Sequence, residues 1–223
     1  PSNVPAATAR RRSPPPSRRT CDERLVSRLR VLGVGAGYFS QFQYEGWRNI
    51  HNVDCVGIVN RDRAKARSLA DRFGIPEIYG DIDAAIDAVR PDLVDVITPP
   101  ATHRAFLERI VAQGIPVICQ KPFGTSYADA VAMTELSERA RVPLIIHENV
   151  RWQPWYREAR RPIKPGLPGT LHSVAFRLRP GDGRGSAAFR DRQPYFQPMP
   201  ALLASEPAIH RPSTSRFSTG EIS

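Results

Sequence analysis

Between Leu29 and Asn149, short runs of Val, Ile and Leu alternate with amphipathic stretches of helical length, which restricts this region to one class of fold. The runs predict strands at Arg30–Gly35, Asp54–Asn60, Leu93–Thr98, Pro116–Cys119 and Pro143–His147, with a short one at Glu77–Tyr79. The stretches between them predict helices at Tyr38–Arg48, Asp62–Phe73, Ile82–Val89, Ala101–Ala112 and Ser126–Arg139. Near-continuous apolar strands suit a sheet covered on both faces, and regular strand–helix alternation builds parallel βαβ units. Gly74 and Gly114 stand where helices should end, each two residues before a proline. The expected class is α/β, a doubly wound parallel sheet over residues 29–150.

The flanks have a different texture. Residues 1–20 carry five prolines and five arginines, with Val4 as their only large apolar residue. Such a segment cannot bury enough surface to offset its ordering entropy, so residues 1–28 are expected to form a disordered basic extension. The pair Arg11–Arg12 invites a twin-arginine export reading, but no apolar segment follows within reach. After Arg151 there are ten prolines, and only Leu171–Leu178 alternates like a half-buried strand, with His172, Val174, Phe176 and Leu178 on one face. One strand cannot close a core. Residues 151–223 are therefore expected to be a partial second α/β domain.

The net charge of +10 is unevenly placed: +6 over residues 1–30, −3 over 31–150 and +7 over 151–223. A nucleic-acid binder gathers its basic residues on a folded face within a recognisable module, and neither is evident here. Of the 32 basic residues 29 are Arg, which points to a bias of composition rather than to phosphate binding. No run of about 18 apolar residues exists, so no membrane span is expected. Cys21, Cys55 and Cys119 are odd in number and lack Cys-x-x-Cys spacing, which argues against a disulfide scaffold and a zinc site. No metal is expected, and a reducing, cytoplasmic location fits best.

The first strand runs into Gly35-Ala36-Gly37-Tyr38-Phe39-Ser40, a Gly-x-Gly-x-x-Ser turn opening a helix. In a dinucleotide site the first glycine permits the tight turn and the second lets the pyrophosphate approach the backbone. A small third residue packs helix on strand. The anion then rests on the amides and positive dipole end of the helix. At the end of the second strand, where an acidic residue would select NAD, the chain has Asn60-Arg61-Asp62. Asn60 can bond a ribose hydroxyl and Arg61 can pair with a 2′-phosphate, so NADP is expected over NAD. The plainer alternative makes Arg61 a solvated charge and Asp62 a helix cap.

Two more motifs complete the pattern: Thr98-Pro99-Pro100-Ala101-Thr102-His103 after strand four and Cys119-Gln120-Lys121-Pro122-Phe123 after strand five. With the Gly-rich turn they resemble the Gfo/Idh/MocA oxidoreductases, over about residues 29–210. The chain is similar to members that have Gln in place of Glu in the Glu-Lys-Pro motif and His147-Glu148-Asn149-Val150-Arg151-Trp152 after strand six. The resemblance implies an NAD(P)-binding Rossmann domain followed by a substrate domain that usually also supplies the oligomer contact. It implies hydride transfer between nicotinamide and a carbinol carbon of a sugar, cyclitol or similar polyol.

By the same resemblance Lys121 hydrogen-bonds the reacting hydroxyl and helps move its proton, while Gln120 removes a negative neighbour of Lys121. An ammonium at a strand's carboxyl end can stabilise a developing alkoxide. Pro99 and Pro100 fix the turn under the nicotinamide without N–H donors. His103 is expected to contact cofactor or backbone rather than perform chemistry. Asn149 and Arg151 stand beside the cofactor crevice, within reach of nicotinamide or substrate. Trp152, Trp155 and Tyr156 have the spacing of a helical aromatic face for domain packing.

The pattern breaks near the end. His210 aligns with the family's catalytic histidine, but Ser213 stands where an Asp should be, and Pro207 and Pro212 fall inside what should be a helix. An interior proline costs about 3 kcal/mol. Roughly 100 residues of the second domain, and with them the oligomer surface, are expected to be absent, so cofactor affinity with weak or no turnover is expected. The alternatives are a catalytically dead nucleotide-binding or regulatory protein, a nucleic-acid binder acting through the Arg-rich tail, and a methyltransferase use of the Gly-rich turn that leaves Lys121 unexplained.

Overall fold

In the computed structural model the described residues are 28–163. The basic extension, the strand expected at Leu171–Leu178 and the stretch around Pro207, His210, Pro212 and Ser213 lie outside them. Six strands and six helices follow one another: β1 Leu29–Val34, α1 Ser40–Arg48, β2 Val53–Val59, α2 Arg63–Phe73, β3 Glu77–Tyr79, α3 Ile82–Val89 and β4 Leu93–Val96. Then come α4 Pro100–Ala112, β5 Val117–Gln120, α5 Tyr127–Ala140 and β6 Leu144–His147. A 3-10 turn at Val150–Trp152 leads into α6 Pro154–Ile163.

The strands form one sheet in the order β3-β2-β1-β4-β5-β6, every neighbouring pair parallel. The order reverses between β1 and β4, and ligands of such sheets bind outside the carboxyl ends of the strands at that point. The alternating side chains of β1 explain why both faces are covered. Leu32 and Val34 join Val94, Val96, Ile110, Val117 and Met133 in one buried cluster. On the other face Tyr44, Ile58, Ala66, Ala70 and Ile97 form a second.

Local chemistry sets the boundaries. Asp62 and Asp81 cap α2 and α3 by accepting two backbone N–H bonds each, and Ser126 caps α5 by accepting from Asp129. Gly74 ends α2 in the left-handed region at φ 69°, and Gly114 takes φ 71° just past α4. Where sequence and structure differ, side chains account for it. The first helix begins at Ser40 rather than Tyr38, because the Gly37 N–H donates to Ser40 Oγ (3.1 Å) and holds the preceding residues as a turn. The fourth strand stops at Val96 instead of Thr98, whose carbonyl turns away to His103 Nε2 at 2.6 Å. Trp152 lies in the 3-10 turn and Trp155 and Tyr156 in α6, so the three aromatic residues do not share one helix; both tryptophans are exposed.

Candidate active site

The glycine-rich turn shows two glycines required for different reasons. Gly35 adopts φ +122°, and a Cβ there would stand 2.8 Å from the Ile97 carbonyl oxygen, so the backbone just past β4 excludes a side chain. A Cβ on Gly37 would meet nothing within 4 Å. Among the described residues nothing packs where a side chain at 37 would stand, so the turn after β1 leaves room for a pyrophosphate to approach the backbone. Phe39 occupies the N-cap position of α1 without a side-chain cap. In this turn the Ser40 and Phe42 N–H groups donate to the Gly37 and Phe39 carbonyls, so an anion would have the Tyr38, Phe39 and Gln41 amides at the positive end of the helix.

The turn is held from beneath. Tyr44, fully buried on α1, donates its hydroxyl to the Gly35 carbonyl at 2.8 Å. Its ring occupies the space that a side chain at Gly33 would fill. Asn60 accepts from the Ala36 N–H through Oδ1 (3.1 Å) and donates through Nδ2 to the Asp62 carbonyl (2.7 Å). It straps the turn to the end of β2, so one N–H and one lone pair remain for a ribose hydroxyl. Asp62 spends its carboxylate as the cap of α2, while Arg61 is exposed and has no ion pair among the described residues.

Beneath Gly33, its register neighbour Asp95 carries a carboxyl that is 1% exposed. It accepts from Trp47 Nε1 at 2.6 Å and from the Gln43 side chain. Burial outweighs these bonds and pushes its pKa up to about 6. Burial and the Asp95 charge likewise push the Cys55 thiol up to about 12, and burial raises that of Cys119.

Across the crevice, Pro99 and Pro100 open α4, Pro100 at a first helical position where a missing N–H costs nothing. The Thr102 hydroxyl donates to the Pro99 carbonyl and lies 2.8 Å from the Thr98 hydroxyl. His103 has no exposed surface, and its nitrogens face two backbone carbonyls, Phe123 at 2.9 Å and Thr98 at 2.6 Å. Of the two contacts expected for it, cofactor or backbone, it makes the second. Burial pulls its pKa down despite the two carbonyls. It is a strut between the turn after β4 and the loop after β5.

That loop begins with Gln120 and Lys121, and the Lys121–Pro122 peptide is cis. Gln120 Oε1 accepts from the Lys121 N–H at 2.9 Å, and its Nε2 lies 3.1 Å from Nδ1 of His147. The imidazole of His147 packs on Phe39 with ring centroids 6.4 Å apart, so the turn after β1 and the end of β6 meet. Tyr38 and Phe39 both lie edge-on or tilted against Phe42. Asn149 is half-buried and precedes the 3-10 turn that holds Arg151; the Arg151 side chain and all of His210 lie outside the described residues. Tyr44, Asp95 and His147 were not singled out from the sequence. The interrupted apolar run Leu93-Val94-Asp95-Val96 is the one signal that could have marked any of them.

Among the described residues no helix is long and apolar enough to cross a membrane. The oxidoreductase family with an NAD-binding Rossmann fold, Gfo/Idh/MocA, matches residues 29–148. A D-apiose dehydrogenase of Paraburkholderia graminis is 34% identical over 201 residues, covering 88% of this chain and 51% of its own length. A D-apiose dehydrogenase of Rhizobium rhizogenes is 32% identical, covering 88% and 56%. Among solved structures, an oxidoreductase from Agrobacterium radiobacter in complex with NAD+, L-tartaric acid and magnesium superposes with a TM-score of 0.77. It is 30% identical and covers 88% of this chain and 56% of that one. The chain spans about half the length of the curated relatives it matches. An NAD-binding Rossmann domain at residues 29–148 and this shared sequence place the chain in the Gfo/Idh/MocA family of oxidoreductases.

Proposed function

We propose that this chain takes part in hydride transfer between a nicotinamide coenzyme and a carbinol carbon of a sugar-like polyol. The observation that carries the reading is the open cradle over Gly37 at the carboxyl end of β1, with Lys121 at the carboxyl end of β5 on the same rim of the sheet. The coenzyme supplies the redox chemistry when bound: in the oxidising direction it accepts the hydride leaving carbon. The protein's part is orientation and the proton. The Lys121 amine takes the hydroxyl proton as the C–O double bond forms and returns it in the reverse direction. His103 and Gln120 hold the two loops that flank this amine. Relatives named for apiose dehydrogenation support a sugar as the substrate class.

The coenzyme preference rests on Arg61. With one N–H and one lone pair of Asn60 left for a ribose hydroxyl and Asp62 committed to its cap, Arg61 is the cation at the end of β2, and a guanidinium there favours a 2′-phosphate. Residues 151–223 would supply the substrate-facing part, including His210.

Calorimetry with NADPH and NADH tests the coenzyme half: both bind, NADPH more tightly, and Arg61→Ala removes the difference. No heat with either coenzyme overturns the reading. Reduction of NADP followed with a panel of polyols and aldoses tests the chemistry, and Lys121→Ala should abolish it while leaving coenzyme affinity within about threefold, under 1 kcal/mol. Coenzyme binding with no turnover on any member of the panel would favour a catalytically silent nucleotide-binding protein.

A further inference from the structure

Gln120 and His147 are the last residues of β5 and β6, and the register places them side by side on adjacent parallel strands. The two ends of the Gln120 amide are distinguishable here. Its oxygen accepts the Lys121 backbone N–H, so turning the amide over would set one donor against another. The nitrogen must therefore face His147, and as it can only donate, His147 Nδ1 must accept. The imidazole proton is then confined to Nε2. Among the described residues Nε2 has no hydrogen-bond partner, and the half-buried ring is held at an angle by Phe39 of the coenzyme turn.

From this geometry we propose that Gln120 locks His147 as the neutral Nε2–H tautomer, making it a fixed hydrogen-bond donor to an oxygen of the substrate beside Lys121. The inference rests on the polyol reading above for the identity of that oxygen, but not for the tautomer. It also gives a reason for Gln at position 120. A carboxylate there accepts only, so it would draw the imidazole proton to Nδ1 and turn Nε2 into an acceptor. One side chain thus sets whether His147 offers a proton or a lone pair.

The surrounding charges are Lys121 from the end of β5 and Glu148 next along the chain; Phe39 is neutral. Burial disfavours the imidazolium most, Glu148 opposes it, and Lys121 adds a smaller charge against it, so the net shift is downward. The amide N–H against Nδ1 adds to burial and Lys121.

Nitrogen-15 NMR of the histidine rings on the full chain reads the tautomer directly. Near pH 8, above the usual histidine range, wild-type His147 should be protonated at Nε2 alone. Gln120→Glu should move the proton to Nδ1 and raise the protonation midpoint. A wild-type proton on Nδ1, or an unchanged tautomer in Gln120→Glu, overturns the proposal. With coenzyme added, polyols and aldoses of the panel should shift the His147 Nε2–H resonance; no shift with any member overturns the donor role. Calorimetry on the same sample keeps the outcomes apart: loss of coenzyme binding with the tautomer intact counts against the polyol reading, whereas the reverse result counts against this proposal alone.

Discussion

The carboxyl end of β1 and the carboxyl ends of β5 and β6 face the same crevice but are held in place by different means. At β1 the turn is fixed by backbone geometry and by side chains beneath it. Gly35 is wedged against the Ile97 carbonyl, Tyr44 bonds its oxygen, and Asn60 straps Ala36. At β5 and β6 the functional side chains hold one another, with Gln120 joined to His147 and to the backbone of Lys121. A site built from main-chain amides cannot easily change what it binds. A site built from paired side chains would change character with a single replacement, and Gln120→Glu is the replacement that tests this.

This contrast predicts a graded set of responses. The largest belongs to Gly35. Gly35→Ala forces a side chain into the left-handed region and against the Ile97 carbonyl just past β4, and should lower stability by about 2–4 kcal/mol in chemical denaturation. A loss below about 1 kcal/mol would mean that the turn is not anchored as described.

Next is Asp95, under the same turn. Its carboxyl binds a proton more tightly folded than unfolded, with a pKa raised from 3.8 to about 6. The stability this confers is complete below about pH 4 and is lost as pH rises through about 6. The two-unit shift corresponds to about 3 kcal/mol. Asp95→Asn keeps an acceptor for Trp47 and lets Gln43 turn its amide, so the difference in melting temperature between variant and wild type should grow across that window. A constant difference would show that the carboxyl does not titrate there.

Gly37→Val should leave denaturation unchanged but weaken NADPH and NADH alike by tenfold to a hundredfold, about 1.4–2.8 kcal/mol by calorimetry. Equal affinities for variant and wild type would remove the cradle. The smallest effect belongs to the other end of the crevice. Gln120→Ala removes one half-buried side-chain pair and should cost about 0.5–1.5 kcal/mol of stability. A loss as large as that of Gly35→Ala would erase the contrast between the two regions.

The sheet was legible in the sequence because its signal is local. Each strand is a short apolar run, three helices open on a capping residue, Asp62, Asp81 or Ser126, and glycines at 74 and 114 mark helix ends. The coenzyme turn was legible for the same reason, since its glycines are close in sequence and follow a strand. What escaped is the chemistry that depends on distant segments coming together. The tie from Asn60 to the Ala36 N–H was not legible, because it requires β1 and β2 to be neighbours. His147 read as an ordinary part of a motif because only the pairing of β5 with β6 brings it to Gln120. His103 was expected at cofactor or backbone, and its backbone partners, the Thr98 and Phe123 carbonyls, are brought to it only by the fold.

The space over Gly33 is taken by the Tyr44 ring, whose hydroxyl is in turn tied to Gly35. Drift at these two positions is therefore constrained jointly: a methyl group at 33 is admissible only in a lineage that has already given up the tyrosine, and such a lineage must find another donor for the carbonyl it abandons. A coenzyme fingerprint drawn up from glycines alone would overlook this aromatic residue nine positions on, although substitution there disturbs the same loop from below.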